Sequence, residues 1–252
     1  MRKIFTFLFV ASIILGCQDE DVQPSNSAEV LAAWGATGAW ASWSNGGYTV
    51  YNNVWGQKAG PGPQSIWANS YSNWGVWANH PNTDGIKAYP NSTRYIGRTL
   101  SSLNSCTSSI SITTPPGGAW TASFDVWDKA KQHEIMLWMN YTSNPNGSGN
   151  IKPISYNWNA LGYPIPTHTN VSVGGHTWNV FRGYNGNNMV YSFLRTTKTN
   201  NATVNLKPIM DWVRARGWFG DITVGDVQFG YEITSSSGGL NYTTKNYSVS
   251  FN

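Results

Sequence analysis

His133-Glu134-Ile135-Met136-Leu137-Trp138-Met139-Asn140-Tyr141 is a run of strand-forming side chains carrying a single carboxylate. Strand alternation places Glu134, Met136, Trp138 and Asn140 on one face and Ile135, Leu137, Met139 and Tyr141 on the other. A second stretch, Val227-Gln228-Phe229-Gly230-Tyr231-Glu232-Ile233, repeats the arrangement. Glu232 shares its face with Gln228 and Gly230, and Val227, Phe229, Tyr231 and Ile233 lie behind it. Each segment therefore has a fully apolar side, suited to a core, and a polar or aromatic side that carries one glutamate.

Working outward, the chain from Trp34 on is a succession of such segments broken by Gly, Asn, Pro and Ser. Candidate strands include residues 48–54, 120–126, 134–141, 177–182, 189–194, 227–233 and 247–251. Turn signals such as Asn146-Gly147 and Asn185-Gly186 separate them. One helical period stands out: Leu206, Ile209, Met210 and Val213 share a face, and Gly217 ends the run. Many short strands with one helix imply an all-β domain: an antiparallel sandwich, a jelly roll or a barrel. No composition break or fixed-period repeat divides residues 34–252, so they are read as one domain.

Composition narrows the function. The 252 residues include 14 Trp, 13 Tyr and 9 Phe, while charged residues make up only 11%. That excludes a coiled coil, a charged disordered protein and an ordinary helical bundle. Beyond residue 33 there are 14 basic and 8 acidic residues, but the basic ones are scattered. No basic stripe suits phosphate, so no nucleic-acid partner is expected. His80, His133, His168 and His176 are dispersed without ligand spacing, and neither a metal nor another cofactor is expected.

The N-terminus reads as an export signal. Arg2 and Lys3 precede a short apolar run ending in Ile14-Leu15-Gly16-Cys17. That run is too short for a permanent span and has the shape of a secretory signal. The tetrapeptide resembles the lipobox of bacterial lipoproteins, in which Cys17 becomes the acylated first residue. An ordinary signal cut a few residues later is the plainer alternative. Residues 1–17 are thus a lipoprotein signal and residues 18–33 a polar tether. The expected location is the outer membrane or cell surface, with Cys17 as the membrane anchor. Cys106 is left as a buried or inert thiol.

The most informative count is that of glutamate: four in the chain, of which Glu20 and Glu29 lie in the tether. The folded domain keeps only Glu134 and Glu232, both inside strongly apolar strands. An ionised carboxylate there is costly unless it is paired or lines a cleft. Edge-strand protection is the bland alternative, but it normally uses lysine or several charges. Two carboxylates on an aromatic-lined groove are the equipment for cleaving a glycosidic bond. One is ionised to meet the anomeric carbon, and the other is protonated to release the leaving oxygen. Asp125, in Ser123-Phe124-Asp125-Val126-Trp127, sits on a similar strand and can couple to the pair. A turn-adjacent aspartate capping backbone amides is its simpler reading.

In chain order the residues resemble glycoside hydrolase family 12, endo-β-1,4-glucanases with a β-jelly-roll fold. Residues 47–56, Gly-Tyr-Thr-Val-Tyr-Asn-Asn-Val-Trp-Gly, are similar to that family's N-N-x-W-G strand. Lys87-Ala88-Tyr89-Pro90 is similar to its A/S-Y-P turn, and residues 122–127 to its aspartate strand. Glu134 to Trp138 resembles its E-x-M-x-W nucleophile strand. Residues 174–178, 183–186 and 190–193 follow its G-G-x-x-W, Y-N-G and V-Y-S-F segments. Gln228 to Glu232 resembles its acid/base strand.

The resemblance implies two antiparallel sheets with a substrate cleft on the concave face. It also implies Glu134 as nucleophile, Glu232 as general acid then base, and Asp125 as the nucleophile's partner. Trp40 and Trp55 become stacking platforms, and Asn53, Met136 and Trp138 line the cleft; plain core packing is the alternative for these rings. The implied reaction is retaining hydrolysis of internal bonds in cellulose-type glucan, mixed-linkage β-glucan or xyloglucan by a monomer. Two departures bear on the outer subsites. The family's P-I-G segment corresponds here to Pro153-Ile154-Ser155, and Gly60-Pro61-Gly62-Pro63 lengthens a loop.

Two rivals remain at this level. A non-catalytic glucan-binding lectin accounts for the aromatics and asparagines but not for two isolated glutamates. A family 11 xylanase shares the jelly roll, but the E-x-M-x-W and N-N-x-W-G strands point away from it. For the N-terminus, labelled palmitate is expected to enter the wild type and not a Cys17→Ala variant. Equal labelling of both, or of neither, refutes acylation at Cys17.

Overall fold

The structure, a computed structural model, describes residues 32–252. The signal-like segment, Cys17 and most of the tether lie outside the described residues. Fifteen strands form two sheets packed face to face. In chain order they begin with β1 (Trp34–Ala36), β2 (Ser42–Asn45), β3 (Tyr48–Tyr51), β4 (Gln64–Ser70) and β5 (Asn73–Ala78). Next come β6 (Asn91–Thr99), β7 (Cys106–Thr113), β8 (Ala119–Asp128), β9 (His133–Tyr141) and β10 (His168–Val173). The last five are β11 (His176–Tyr184), β12 (Met189–Arg195), β13 (Asn201–Asn205), β14 (Thr223–Ser235) and β15 (Leu240–Phe251). Helix α1 (Leu206–Arg214) precedes β14 and packs against β7 and β10.

One sheet runs β1-β4-β5-β15-β7-β13 and the other β10-β11-β12-β9-β8-β14-β6-β3-β2. The carboxylate-bearing strands β9, β8 and β14 are therefore neighbours at the centre of the larger sheet. Their apolar faces meet the smaller sheet. Ile135, Leu137, Phe124, Val126, Val227, Phe229, Tyr231 and Ile233 all belong to the main core. Phe124 and Phe229 meet edge-on at 5.0 Å between ring centres, and Phe229 lies 5.8 Å from Tyr247 of β15. The buried hydroxyls are not left unpaired: Tyr247 donates to the Val227 carbonyl at 2.9 Å, and Tyr231 pairs with Thr244 at 3.0 Å. Each of these bonds ties β14 to β15, so the two sheets are pinned by polar as well as apolar contacts.

Three local expectations are corrected. First, the larger sheet is not wholly antiparallel, because β12 pairs with β9 in parallel, Val190 beside Glu134. The β10–β11 hairpin lies between β9 and β12 in the chain and sets that direction. Second, the strand expected over residues 48–54 ends at Tyr51. Asn53 turns out of it with a positive φ of 42°, a backbone state asparagine tolerates better than most residues. Third, alternation along β9 fails at its end. Trp138 pairs with Ser123 but Asn140 with Ala122, leaving Met139 as the extra residue of a bulge. Tyr141 thereby turns to the Trp138 side, 5.7 Å from it, and Asn140 reaches instead to Asn200 and Thr114.

Above the larger sheet a smaller apolar cluster joins Met136, Trp138, Tyr141, Phe181, Val190 and Leu194 to Ile151. Ile151 comes from the long loop between β9 and β10, so that loop covers part of the second face and bounds what stays open. On the opposite flank a short rung over residues 86–90 bridges β14 to the Asn53–Gly56 turn. Its backbone bonds run from Lys87 N–H to the Ile233 carbonyl, from Tyr89 N–H to that of Asn53, and from Gly56 N–H to that of Lys87. The rung sits tightly on β14, since a Cβ on Gly230 would stand 2.3 Å from the Pro90 carbonyl oxygen. Gly230→Ala is accordingly expected to lower the melting temperature and to lower activity through displacement of Tyr89 and Asn53. Thermal melts and rate measurements on the variant check both, and unchanged values refute the close contact.

Candidate active site

Register on β8 organises the site. Asp125 stands opposite Met136 on one neighbour and Gln228 on the other. Glu134 pairs with Trp127 towards one end of β8, and Glu232 with Thr121 towards the other. Asp125 thus lies between the two glutamates. Register shifts interrupt the pairing along both edges of β8, and irregularities of this kind increase the local twist of a sheet. All three carboxyl groups line one cavity of about 660 Å³.

Asn53, Trp55, Tyr89, Trp127, Lys131, Met136, Trp138, Asn188 and Gln228 also line it, with Pro153 and Ile154 from the loop. The site residues read from the sequence therefore converge, with one exception. Trp40, between β1 and β2, is 66% exposed and stands outside the cavity wall. Trp55 is 46% exposed, a ring open to a flat ligand, whereas Trp138 is 2% exposed and mostly packs beneath the loop. Asn53 is held by donation from its amide to the Tyr89 carbonyl at 3.0 Å.

The carboxyls are not equivalent. Burial pushes Asp125 well above the usual carboxylate range, and the charges of Glu134 and Glu232 push it further. Ser123 Oγ donates to Asp125 Oδ1 at 3.2 Å and opposes that shift, as does the Tyr89 hydroxyl. Burial raises Glu134 to about 7, against the Asn188 amide, the Lys131 ammonium and a hydrogen bond from Asp125, which all favour its anion. Burial and the Glu134 charge raise Glu232 to about 8. Glu134 is the carboxyl with the partners of an anion. Glu232 has no such partner and keeps its proton longest of the two glutamates.

Outside the cavity, Cys106 is buried, with no disulfide partner among the described residues, and burial pushes its thiol up to about 12. Asn188, Lys131 and Tyr89 were not singled out from the sequence as site residues. Asn188 follows Tyr184-Asn185-Gly186, read from the sequence as a turn and a family-like segment but not as a site, and the parallel β9–β12 pairing brings it to Glu134.

Two glutamates with unequal hydrogen-bonding partners share an aromatic-walled cavity with a third carboxyl, and comparison with known proteins places the chain in a family. The sequence model described as "Glycosyl hydrolase family 12" matches residues 46–252. The chain belongs to glycosyl hydrolase family 12. The fold of this hydrolase is the two-sheet sandwich of solved family members. The xyloglucanase domain of NopAA, a type three effector from Sinorhizobium fredii, was solved in complex with cellobiose. It is 48% identical to this chain, with a TM-score of 0.86 over 88% of this chain and 100% of that one. Endoglucanase S of Pectobacterium parmentieri is 30% identical over 96% of this chain and 92% of its own. The xyloglucan-specific endo-beta-1,4-glucanase A of Emericella nidulans is 30% identical over 84% of this chain and 89% of its own.

The raised carboxyls give the family 12 domain a stability that depends on pH. Between about 4.5 and 8 the folded state holds protons on Glu134 and Glu232 that the unfolded chain has released. Stability from these groups is complete below the unfolded value and is lost as pH rises through the folded ones. Glu232→Gln cannot ionise, so it is expected to melt near the wild type at about pH 4 and clearly above it at about pH 9. Equal differences in melting temperature at the two pH values refute the raised Glu232.

Proposed function

We propose that this family 12 hydrolase cleaves internal β-1,4-glucosidic bonds by double displacement. Glu134 is the nucleophile, Glu232 the acid and then the base, and Asp125 the partner that hydrogen-bonds Glu134. The convergence of these three carboxyls in one cavity, with an open tryptophan at its rim, carries this reading. Glu232 gives its proton to the glycosidic oxygen as that bond breaks, and a Glu134 oxygen closes on the anomeric carbon to form a glycosyl ester. Water then loses a proton to Glu232 and attacks the same carbon, which frees Glu134 as a carboxylate and releases the sugar with its configuration retained. Asp125, whose proton is held by burial and the neighbouring carboxylates, donates it as a hydrogen bond to Glu134 without transferring it.

Xyloglucan is the glucan we favour, because the 48% identical domain is described as a xyloglucanase and the Emericella nidulans relative as xyloglucan-specific. Trp55 stacks on a sugar ring at the rim, and Trp40 serves as a platform further along the same flank. In this reading the enzyme acts as a monomer. The lipobox-like Ile14-Leu15-Gly16-Cys17 supports a cell-surface lipoprotein. In that reading residues 18–33 tether the catalytic domain, residues 34–252, to the acylated Cys17.

Glu134→Ala is expected to abolish hydrolysis and to recover part of its rate with azide on a substrate bearing a good leaving group. The product is then a glycosyl azide of inverted configuration. In the wild type, proton NMR of the first-formed sugar shows the β-anomer. An α-anomer appearing first, or a Glu134→Ala enzyme of undiminished rate, overturns the double displacement.

A further inference from the structure

The turn between β11 and β12 aims a fixed hydrogen-bond donor at Glu134. Asn188, 5% exposed, donates from Nδ2 to Glu134 Oε2 at 3.2 Å. Its orientation is set from behind. Asn188 Oδ1 accepts from Asn185 Nδ2 at 3.0 Å, and Asn185 Oδ1 accepts from the backbone N–H groups of Asn187 and Asn188, each at 3.0 Å. Turned the other way, the Asn188 amide would point oxygen at a carboxylate and N–H at N–H. The flipped state is therefore excluded by its own partners.

The other groups facing Glu134 do different work. Asp125 from β8 brings a proton, Glu232 from β14 and the Tyr89 hydroxyl bring no positive charge, and β12 brings only the apolar Val190. Lys131 is a cation, but it is committed to Asp226 at 2.5 Å and lies over the Trp127 ring. Asn188 is thus the buried side-chain amide that donates to this carboxylate, and unlike Asp125 it carries no titratable proton.

We propose that Asn188 is a positioning residue for the reaction, locking one oxygen of Glu134 so that the other is presented to the anomeric carbon. The proposal rests on Glu134 being the nucleophile. The donated bond favours the anion before attack, and favours it again when the ester breaks and the negative charge returns to Glu134. Asn185 acts one step behind by holding the Asn188 amide, and contributes no donor of its own to the carboxylate.

The test is the pH profile of kcat/KM on an aryl β-cellobioside for the wild type, Asn188→Ala, Asn188→Asp and Asn185→Ala, each with a thermal melt to show it is folded. Losing a bond to a charged group moves the acid limb up by about one to two pH units. We expect that shift in Asn188→Ala and a larger one in Asn188→Asp, which sets a second carboxyl beside Glu134. Asn185→Ala keeps the donor and shifts less in the same direction. A uniformly lower rate with an unmoved acid limb overturns the proposal, since a merely structural turn would behave that way. Labelling with a 2-deoxy-2-fluoro-β-cellobiosyl fluoride, read by peptide mass, separates the two failures. Label on a residue other than Glu134 refutes the nucleophile itself, and label on Glu134 with an unmoved limb refutes only the role of Asn188.

Discussion

Three carboxyl groups placed among rings and backbone, away from bulk water, are the demand to which the rest of this molecule answers. Removing an ionised carboxylate from water costs several kcal/mol unless partners replace the solvent. No strand could bear that cost alone. β8, β9 and β14 bear it because their opposite faces sit in the largest apolar core of the protein, tied across to β15 by Tyr231 and Tyr247. A buried side chain such as Phe124 or Phe229 contributes on the order of 3–5 kcal/mol against truncation to alanine. The paired aromatics behind the carboxylates therefore supply stability of the size that the site consumes.

The same logic explains which features were legible in the sequence. Alternation in β9 and β14 needed only period two and an otherwise missing residue type, so Glu134 and Glu232 could be read as facing one groove. Asp125 was legible for the same reason, since it alternates with Phe124 and Val126. The helix was legible from the shared face of Leu206, Ile209, Met210 and Val213, all buried. What failed was local and geometric. The bulge at Met139 swaps the faces of Asn140 and Tyr141, and no residue type in that stretch announces it. The positive φ at Asn53 ends β3 early, where alternation alone would have carried the strand on. Asn188 was hidden for a different reason: its function depends on a parallel pairing between segments that lie about fifty residues apart. Family resemblance covers that gap for the glutamates but not for a turn rich in asparagine.

Both flanks of the cavity are held by polar backbone rather than by more hydrophobic surface. On one side the rung over residues 86–90 is fastened through Lys87, a fully buried lysine whose ammonium donates to the carbonyls of Thr83, Asp84 and Gly85. Burial pulls its pKa down, and the ring of carbonyls replaces the lost water. Behind it His80 and Gln64 pair at 2.9 Å, and Gln64 in turn donates to Asn52 at 2.8 Å, next to the residue that turns into the cavity. On the other side the loop after β9 is stitched by Ser143 and Ile151 and packs closely over Gly183, where a Cβ would meet Ile154 at 2.7 Å. Each flank thus has a rigid reason to stay where it is, which a cleft that must hold a polymer across several strands requires.

That rigidity bears on why the protein is an enzyme and not only a sugar-binding surface. Stacking rings and amides suffice to bind a glucan, and Trp55 and Asn53 would do so with or without the glutamates. A lectin gains nothing from carboxyls whose burial makes the fold less stable as pH rises. Here the donors around them are also unequally distributed: Asn188, Lys131 and Asp125 all favour the anion of Glu134, while Glu232 has only a like charge nearby. Such asymmetry has no use in binding a neutral sugar. It is what acid and nucleophile need at one bond, because a pair with equal proton affinities would spend much of its time with the proton on the wrong member.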